Sequence, residues 1–168
     1  GTVTWVQDPL DRVFTPHEVA ALPAASQDQL EYFAFKNGKG NMVLCWDHAR
    51  YVNHSFRSNC LSTVFDFEIA VRDIQPGEQL TDDYGYLNLP FPWRPNDEGT
   101  RRKWVRPDDS VRYAKNWDSQ INRALRLLNR VDQPLLPWVQ PEVWATASQP
   151  EAFNRSIREL YCAPGTSA

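Results

Sequence analysis

Residues 50–60 read RYVNHSFRSNC, and residues 71–86 read VRDIQPGEQLTDDYGY. In the first stretch the polar residues Asn53, His54, Ser55, Arg57, Ser58 and Asn59 follow the apolar pair Tyr51 and Val52, just before the chain turns apolar again. Between the two stretches lies TVFDFEIAVRDI, where Phe65, Phe67, Ile69 and Val71 alternate with Asp66, Glu68, Ala70 and Arg72. A period of two predicts a strand with one face on a core and the other in water. The strand should stop at QPGE, because Pro76 presets φ for the first turn position and Gly77 accepts a positive φ at the second. QLTDDYG then resumes extended, with Leu80, Asp82 and Tyr84 on one side.

Upstream, TVTWV reads as a short strand. In FTPHEV, Thr15, Pro16 and Glu18 supply an N-cap, a first-turn proline and a capping box, which predicts a short helix. Ser26 with Gln29 is a second start signal before LEYFAF, whose helical or extended state stays open. YFAF and MVLCW flank KNGKGN, and Asn37-Gly38 predicts a hairpin because both residues tolerate positive φ. Downstream, LNLPFPWRPNDEGTRRKWVRPDD carries Pro90, Pro92, Pro95 and Pro107, so neither helix nor central strand persists there. From Ser110 to about Val131, Ala114, Trp117, Ile121, Ala124, Leu125, Leu128 and Val131 recur at helical steps and predict one amphipathic helix ended by Pro134. A last short helix is expected near Pro150, with Phe153, Ile157, Leu160 and Tyr161 on one face.

The chain has 168 residues, enough to bury about 70% of its unfolded surface without a disulfide framework. Its cysteines, Cys45, Cys60 and Cys162, fit no C-x-x-C or Cys/His pattern, which predicts a reducing compartment and no structural metal. No apolar run approaches the roughly 18 residues of a membrane span and no signal pattern opens the chain, so a soluble protein of the cytoplasm or another intracellular compartment is expected. Without a secretory signal, the sequons at Asn53 and Asn154 carry little weight. The first residue is Gly1 and not Met, which suggests a start inside a longer protein. A net charge of −3 argues against general nucleic-acid binding. Six acids (Asp66, Glu68, Asp73, Glu78, Asp82, Asp83) against Arg72 fill residues 66–83, and nine Lys or Arg against three Asp fill residues 101–130. The acid stretch suits either steering of a basic peptide or the solvated face of a strand. The basic stretch lacks the interleaved aromatics of a stacking platform.

ARYVNHSFRSNC followed at strand distance by VRDIQPGEQLTDDYGY resembles the C-terminal half of the SET domain, the fold of most protein lysine methyltransferases. The resemblance covers residues 29–86, and GTVTWV is similar to the strand after the family's first glycine-rich turn. It implies a mainly β, SET-type fold with a pseudoknot and appended helices: a SET domain over 1–86 lacking its N-terminal part, a proline- and aromatic-rich arm over 87–108, and a helical C-terminal appendage over 109–168. It implies S-adenosylmethionine as cofactor and a lysine-bearing protein or peptide as substrate. Asn53 matches the asparagine that holds the methionine end of the cofactor, His54 the residue whose backbone meets its adenine, and Tyr84 the catalytic tyrosine. Phe33, Asp82 and Tyr86 are candidates for the substrate channel.

Departures from the family pattern carry expectations of their own. Phe56 stands where zinc-bearing members have cysteine and no C-x-C cluster follows Tyr84, so no metal is expected. Asp82 occupies a position often held by Phe or Tyr that influences how many methyls are added. The family's G-x-G turn is absent, which predicts an exposed sheet edge prone to pair with a second copy, and weak cofactor binding. Phe91, Trp93 and Trp104 suggest that the arm covers the cofactor or the lysine channel. The competing reading is a non-catalytic, SET-derived module that binds a protein or nucleic-acid partner. Retention of both Asn53 and Tyr84 favours the enzyme, since a scaffold needs neither.

Overall fold

The structure, a computed structural model, describes residues 1–163. Its strands are short and form three small sheets ordered β1-β7-β6, β2-β4-β3 and β5-β8. The strands are β1 (Val3–Val6), β2 (Arg12–Phe14), β3 (Phe35–Lys36), β4 (Met42–Leu44), β5 (Asn53–His54), β6 (Cys60–Ser62), β7 (Phe67–Ala70) and β8 (Thr81–Asp82). The helices are α1 (Pro16–Ala21), α2 (Ala24–Phe33), α3 (Asp109–Arg112), α4 (Ala114–Leu125) and α5 (Pro141–Ala147), with 3₁₀ turns between them. No strand exceeds four residues whereas α4 has 12. The expected mainly β architecture is therefore a set of small sheets with helices.

Local signals act as their chemistry dictates. Thr15 and Glu18 form the reciprocal capping box of α1, with Pro16 at its first position. Gly77 takes φ +82° in the turn closed by Glu78 N–H on the Gln75 carbonyl. The hairpin at residues 37–41 forms, with β3 antiparallel to β4, but the positive φ falls on Gly40. Asn37 contributes its side chain instead, accepting the N–H groups of Lys39 and Asn41. The open segment LEYFAF is helical through Phe33 and extended from Phe35, and α2 begins after Pro23, not at Ser26.

Three expectations change. Strand β7 is buried on both faces, not one, because β1 and β6 flank it and α4 packs across it. Asp66 leaves the ladder at φ 56°, in the turn where Thr63 holds Phe67. The single helix over 110–131 breaks at Tyr113 and again after Leu125, into α3, α4 and a 3₁₀ turn at Leu128–Arg130. Its apolar residues Trp117, Ile121, Leu125 and Leu128 still face inward, while Val131 is exposed. Near Pro150 the chain forms two 3₁₀ turns, the second with its own Ser156–Glu159 capping box, in place of one helix.

A single apolar cluster joins Val3, Phe67, Ile69 and Tyr86 to Trp117, Ile121, Leu125, Leu128 and Ile157. Gln133, in the segment after α4, ties down the start of β1: its side chain accepts from Val3 N–H at 2.9 Å and donates to the Gly1 carbonyl at 2.9 Å. Strands β5 and β8 pair in parallel, Asn53 opposite Thr81 and His54 opposite Asp82. This brings the two quoted stretches side by side.

Candidate functional site

A cavity of about 580 Å³ opens beside the β5–β8 pair, a size typical of small-ligand sites. Its walls include Trp5, Phe33, Phe35, Leu80 and Tyr84, and among its polar members are Thr4, Glu68 and Asp82. Leu80, Asp82 and Tyr84, placed on one side of an extended segment by their spacing, all reach it.

Two of its acids have no place on a solvated face. Glu68 is 7% exposed and Asp82 6%. Thr4 Oγ1 donates to Glu68 Oε1 at 2.7 Å and Asp83 N–H to Asp82 Oδ1 at 3.1 Å. The two carboxyls lie close enough to interact, and burial first, then mutual repulsion, raises that of Asp82 well above the usual carboxylate range. Burial likewise raises that of Glu68. Two adjacent buried carboxylates cannot both ionise, so the pair keeps at least one proton. The acid stretch as a whole is therefore not a steering surface: Glu68, Asp82 and Asp83 are buried, and Asp66, Asp73 and Glu78 are exposed.

His54 lies on the other side of β8. Its side chain is 2% exposed, enclosed by Phe56, Tyr84 and Trp93 with ring centroids 4.6, 5.4 and 5.4 Å away. Tyr84 N–H donates to Nδ1 at 3.1 Å, which puts the imidazole proton on Nε2, and that buried nitrogen has no partner among the described residues. Burial, with help from Arg102, lowers the His54 pKa to about 4, so the ring is neutral at pH 7 and its 3.9 Å approach to Asp83 is not an ion pair. The Tyr84 hydroxyl donates to the Val52 carbonyl at 2.6 Å.

The arm over 87–108 closes this side. Trp93 stacks on Tyr84 at 5.9 Å and is held in place by two backbone hydrogen bonds to Val105. Glu98 accepts from Ser55 Oγ and Phe56 N–H. Arg102 donates to Asp83 Oδ2 and Asp109 Oδ2, each at 2.5 Å, tying the second motif to α3. Of the arm's other aromatics, Phe91 is 73% exposed and Trp104 41%.

Of the residues singled out in the sequence, Phe33, Asp82 and Tyr84 line the cavity. Asn53 is adjacent to it, next to lining residue Val52, with its side chain exposed and in no hydrogen bond among the described residues. Tyr86 lies elsewhere: 2% exposed, it packs on Trp117 at 5.4 Å and accepts Ser62 N–H at its hydroxyl, so it is a core residue away from the cavity wall. Glu68 and Arg102 escaped the sequence reading, whereas Trp93 belongs to the arm expected to cover the cofactor or the lysine channel. Glu68 looked like one outward position of an alternating strand, and nothing local marks Arg102 among its basic neighbours.

A family model, the SET domain, matches residues 13–85. That segment is similar to a SET domain, and the match extends upstream of the resemblance over 29–86 to take in β2, α1 and the start of α2. Neither a curated protein nor a solved structure matches the chain. Among the described residues no helix is long and apolar enough to cross a membrane.

Proposed function

We propose that this SET domain transfers a methyl group from S-adenosylmethionine to a lysine side chain of a protein. The observation that carries the reading is the β5–β8 pairing, which sets Asn53 and His54 against Thr81 and Asp82 beside one cavity with Tyr84 in its wall. The same parallel pairing supports the threading of the second motif against the first-motif loop as a pseudoknot.

The residues present fit the cofactor. Asn53 offers an exposed amide with free donors and acceptor, suited to a zwitterionic amino-acid end, and the aromatic cavity walls suit a nucleoside and a cationic centre. When bound, S-adenosylmethionine supplies a methyl group on a positively charged sulfur. The protein must present the lysine as a neutral amine, which at pH 7 costs roughly 4.6 kcal/mol for an amine that in water titrates near about 10.4. An apolar channel walled by Phe33 and Leu80 disfavours the ammonium by desolvation. Tyr84 orients the amine. Because its proton is committed to the Val52 carbonyl, its oxygen lone pairs remain to accept an amine N–H and aim the nitrogen.

The test is methyl transfer from labelled cofactor to a lysine-rich protein mixture, with cofactor affinity measured by calorimetry. Tyr84→Phe is expected to lose about 100-fold in turnover while keeping cofactor affinity within a few-fold. Asn53→Ala is expected to weaken cofactor binding first. Equal loss of affinity in both variants overturns the role assignment, and no transfer by the intact chain overturns the reading.

A further inference from the structure

We propose that Glu68 and Asp82 act together as the proton acceptor of the cavity, capturing an incoming alkylammonium and taking its proton so that the amine is left neutral. This rests on the methyl-transfer reading for its role in turnover, but the geometry stands independently. The two carboxyls come from different elements, β7 and β8, and meet in the wall of a cavity already sized for a ligand. In the same wall Trp5, 9% exposed, stands opposite Glu68 in the β1–β7 ladder, and its indole N–H is buried with no acceptor among the described residues. An indole N–H only donates, so it is open to an acceptor and leaves the acid pair as the partner for a cation.

The surroundings decide the chemistry. From the turn after β8, Tyr84 faces the pair, while the neighbouring Asp83 acts on it only through space and points away to Arg102; from β6 and the end of β4, the thiols of Cys60 and Cys45 face it. Burial raises both thiols, that of Cys45 to about 12, so they are neutral. Asp83 has its own cation in Arg102. The cavity's cations, Lys36 and Arg50, line its wall without an ion pair to either acid among the described residues. In this proposal one carboxyl of the pair is ionised at rest and awaits a cation of the right length. In the transfer one N–H bond of the ammonium breaks, its electron pair stays on nitrogen, and the proton forms an O–H bond on the ionised carboxyl. The anion becomes a neutral acid pair and the ammonium a neutral amine. The proton returns to water when the product leaves.

The probe is n-butylamine, titrated calorimetrically at pH 7 into the whole chain in two buffers of different ionisation heat, with infrared detection of protonated carboxyl. The wild-type chain is expected to bind with no net proton released to buffer and with its protonated-carboxyl band about doubled at saturation. Asp82→Asn and Glu68→Gln, two separate variants in case one misfolds, should bind at least tenfold more weakly and release one proton per amine. Equal affinity and proton release in all three overturn the proposal, as does an unchanged carboxyl band or no binding by the wild type. If butylamine behaves as expected but no lysine is methylated, the methyl-transfer reading fails while the acceptor pair stands. With a methylated peptide in hand, Asp82→Asn should lose about 100-fold at pH 7 and recover most of it near pH 10, where solvent deprotonates the amine; a loss equal at both pH values contradicts proton acceptance.

Discussion

Asp82 and Asp83 are neighbours in sequence and both buried, yet they are managed in opposite ways. Asp82 faces the cavity and, with Glu68, reduces its charge by sharing a proton. Asp83 points the other way, toward the arm and α3, and keeps Arg102 as a partner. Burial pushes the Asp83 carboxyl up and the guanidinium pulls it back. One region is an unneutralised acid pair beside an empty volume; the other is a filled, cation-centred junction. The difference separates a place built to react from a place built to hold.

The largest expected effect falls on the junction. Arg102→Ala leaves Asp83 and Asp109 buried against each other, and should cost about 3–5 kcal/mol in denaturant unfolding; a loss below about 1 kcal/mol would break the contrast. Asp83→Asn should cost about 2 kcal/mol, the worth of hydrogen bonds to a charged partner, and more than Asp82→Asn in the same measurement. Trp93→Ala removes the lid over His54 and Tyr84 and should cost about 1 kcal/mol. With that lid gone, the His54 pKa should climb from about 4 back toward about 6.5, as read by NMR titration. A lowered histidine favours the fold above its unfolded pKa and loses that stabilisation as pH falls toward the folded one, so Trp93→Ala should also flatten the stability loss between roughly pH 6.5 and 4. Smallest is Glu68→Gln, within about 1 kcal/mol at pH 7, since one carboxyl of the pair is already protonated. The raised carboxyls stabilise the fold below their unfolded pKa and lose that contribution as pH rises through the folded one, so this variant should lose less stability than wild type on going from pH 4 to pH 8.

What could be read from the sequence follows the range of the forces involved. The capping box at Thr15 and Glu18, the Pro76-Gly77 turn and the inward face of Trp117, Ile121 and Leu125 are set by residues within a few positions of each other. The two motifs with their strand between them carried the SET assignment, and Tyr84, Asp82 and Phe33 reached the cavity together. Glu68 could not be placed, because its burial depends on β1 crossing from the chain start and on Asp82 arriving in parallel with His54. The break at Tyr113 was hidden for a related reason: Asp109 turns inward to meet Arg102, which fixes α3 independently of the apolar period of α4. α5 opens with Pro141 and buries Ala147, a pattern too short to stand out from the prolines around it.

The clasp of Gln133 on Gly1 and Val3 sets an order of events during synthesis. β1 can pair with β7 once Ala70 has emerged, but its remaining N–H at Val3 waits for a side chain more than sixty positions later. At about 5–20 residues per second that is an interval of roughly 3–13 s, in which the cavity wall built by Thr4 and Trp5 hangs from a two-partner ladder alone. The strand that carries Thr4 to Glu68 is thus latched late, and a nascent chain stalled before residue 133 should present it to proteases while the α1 and α2 region is already protected.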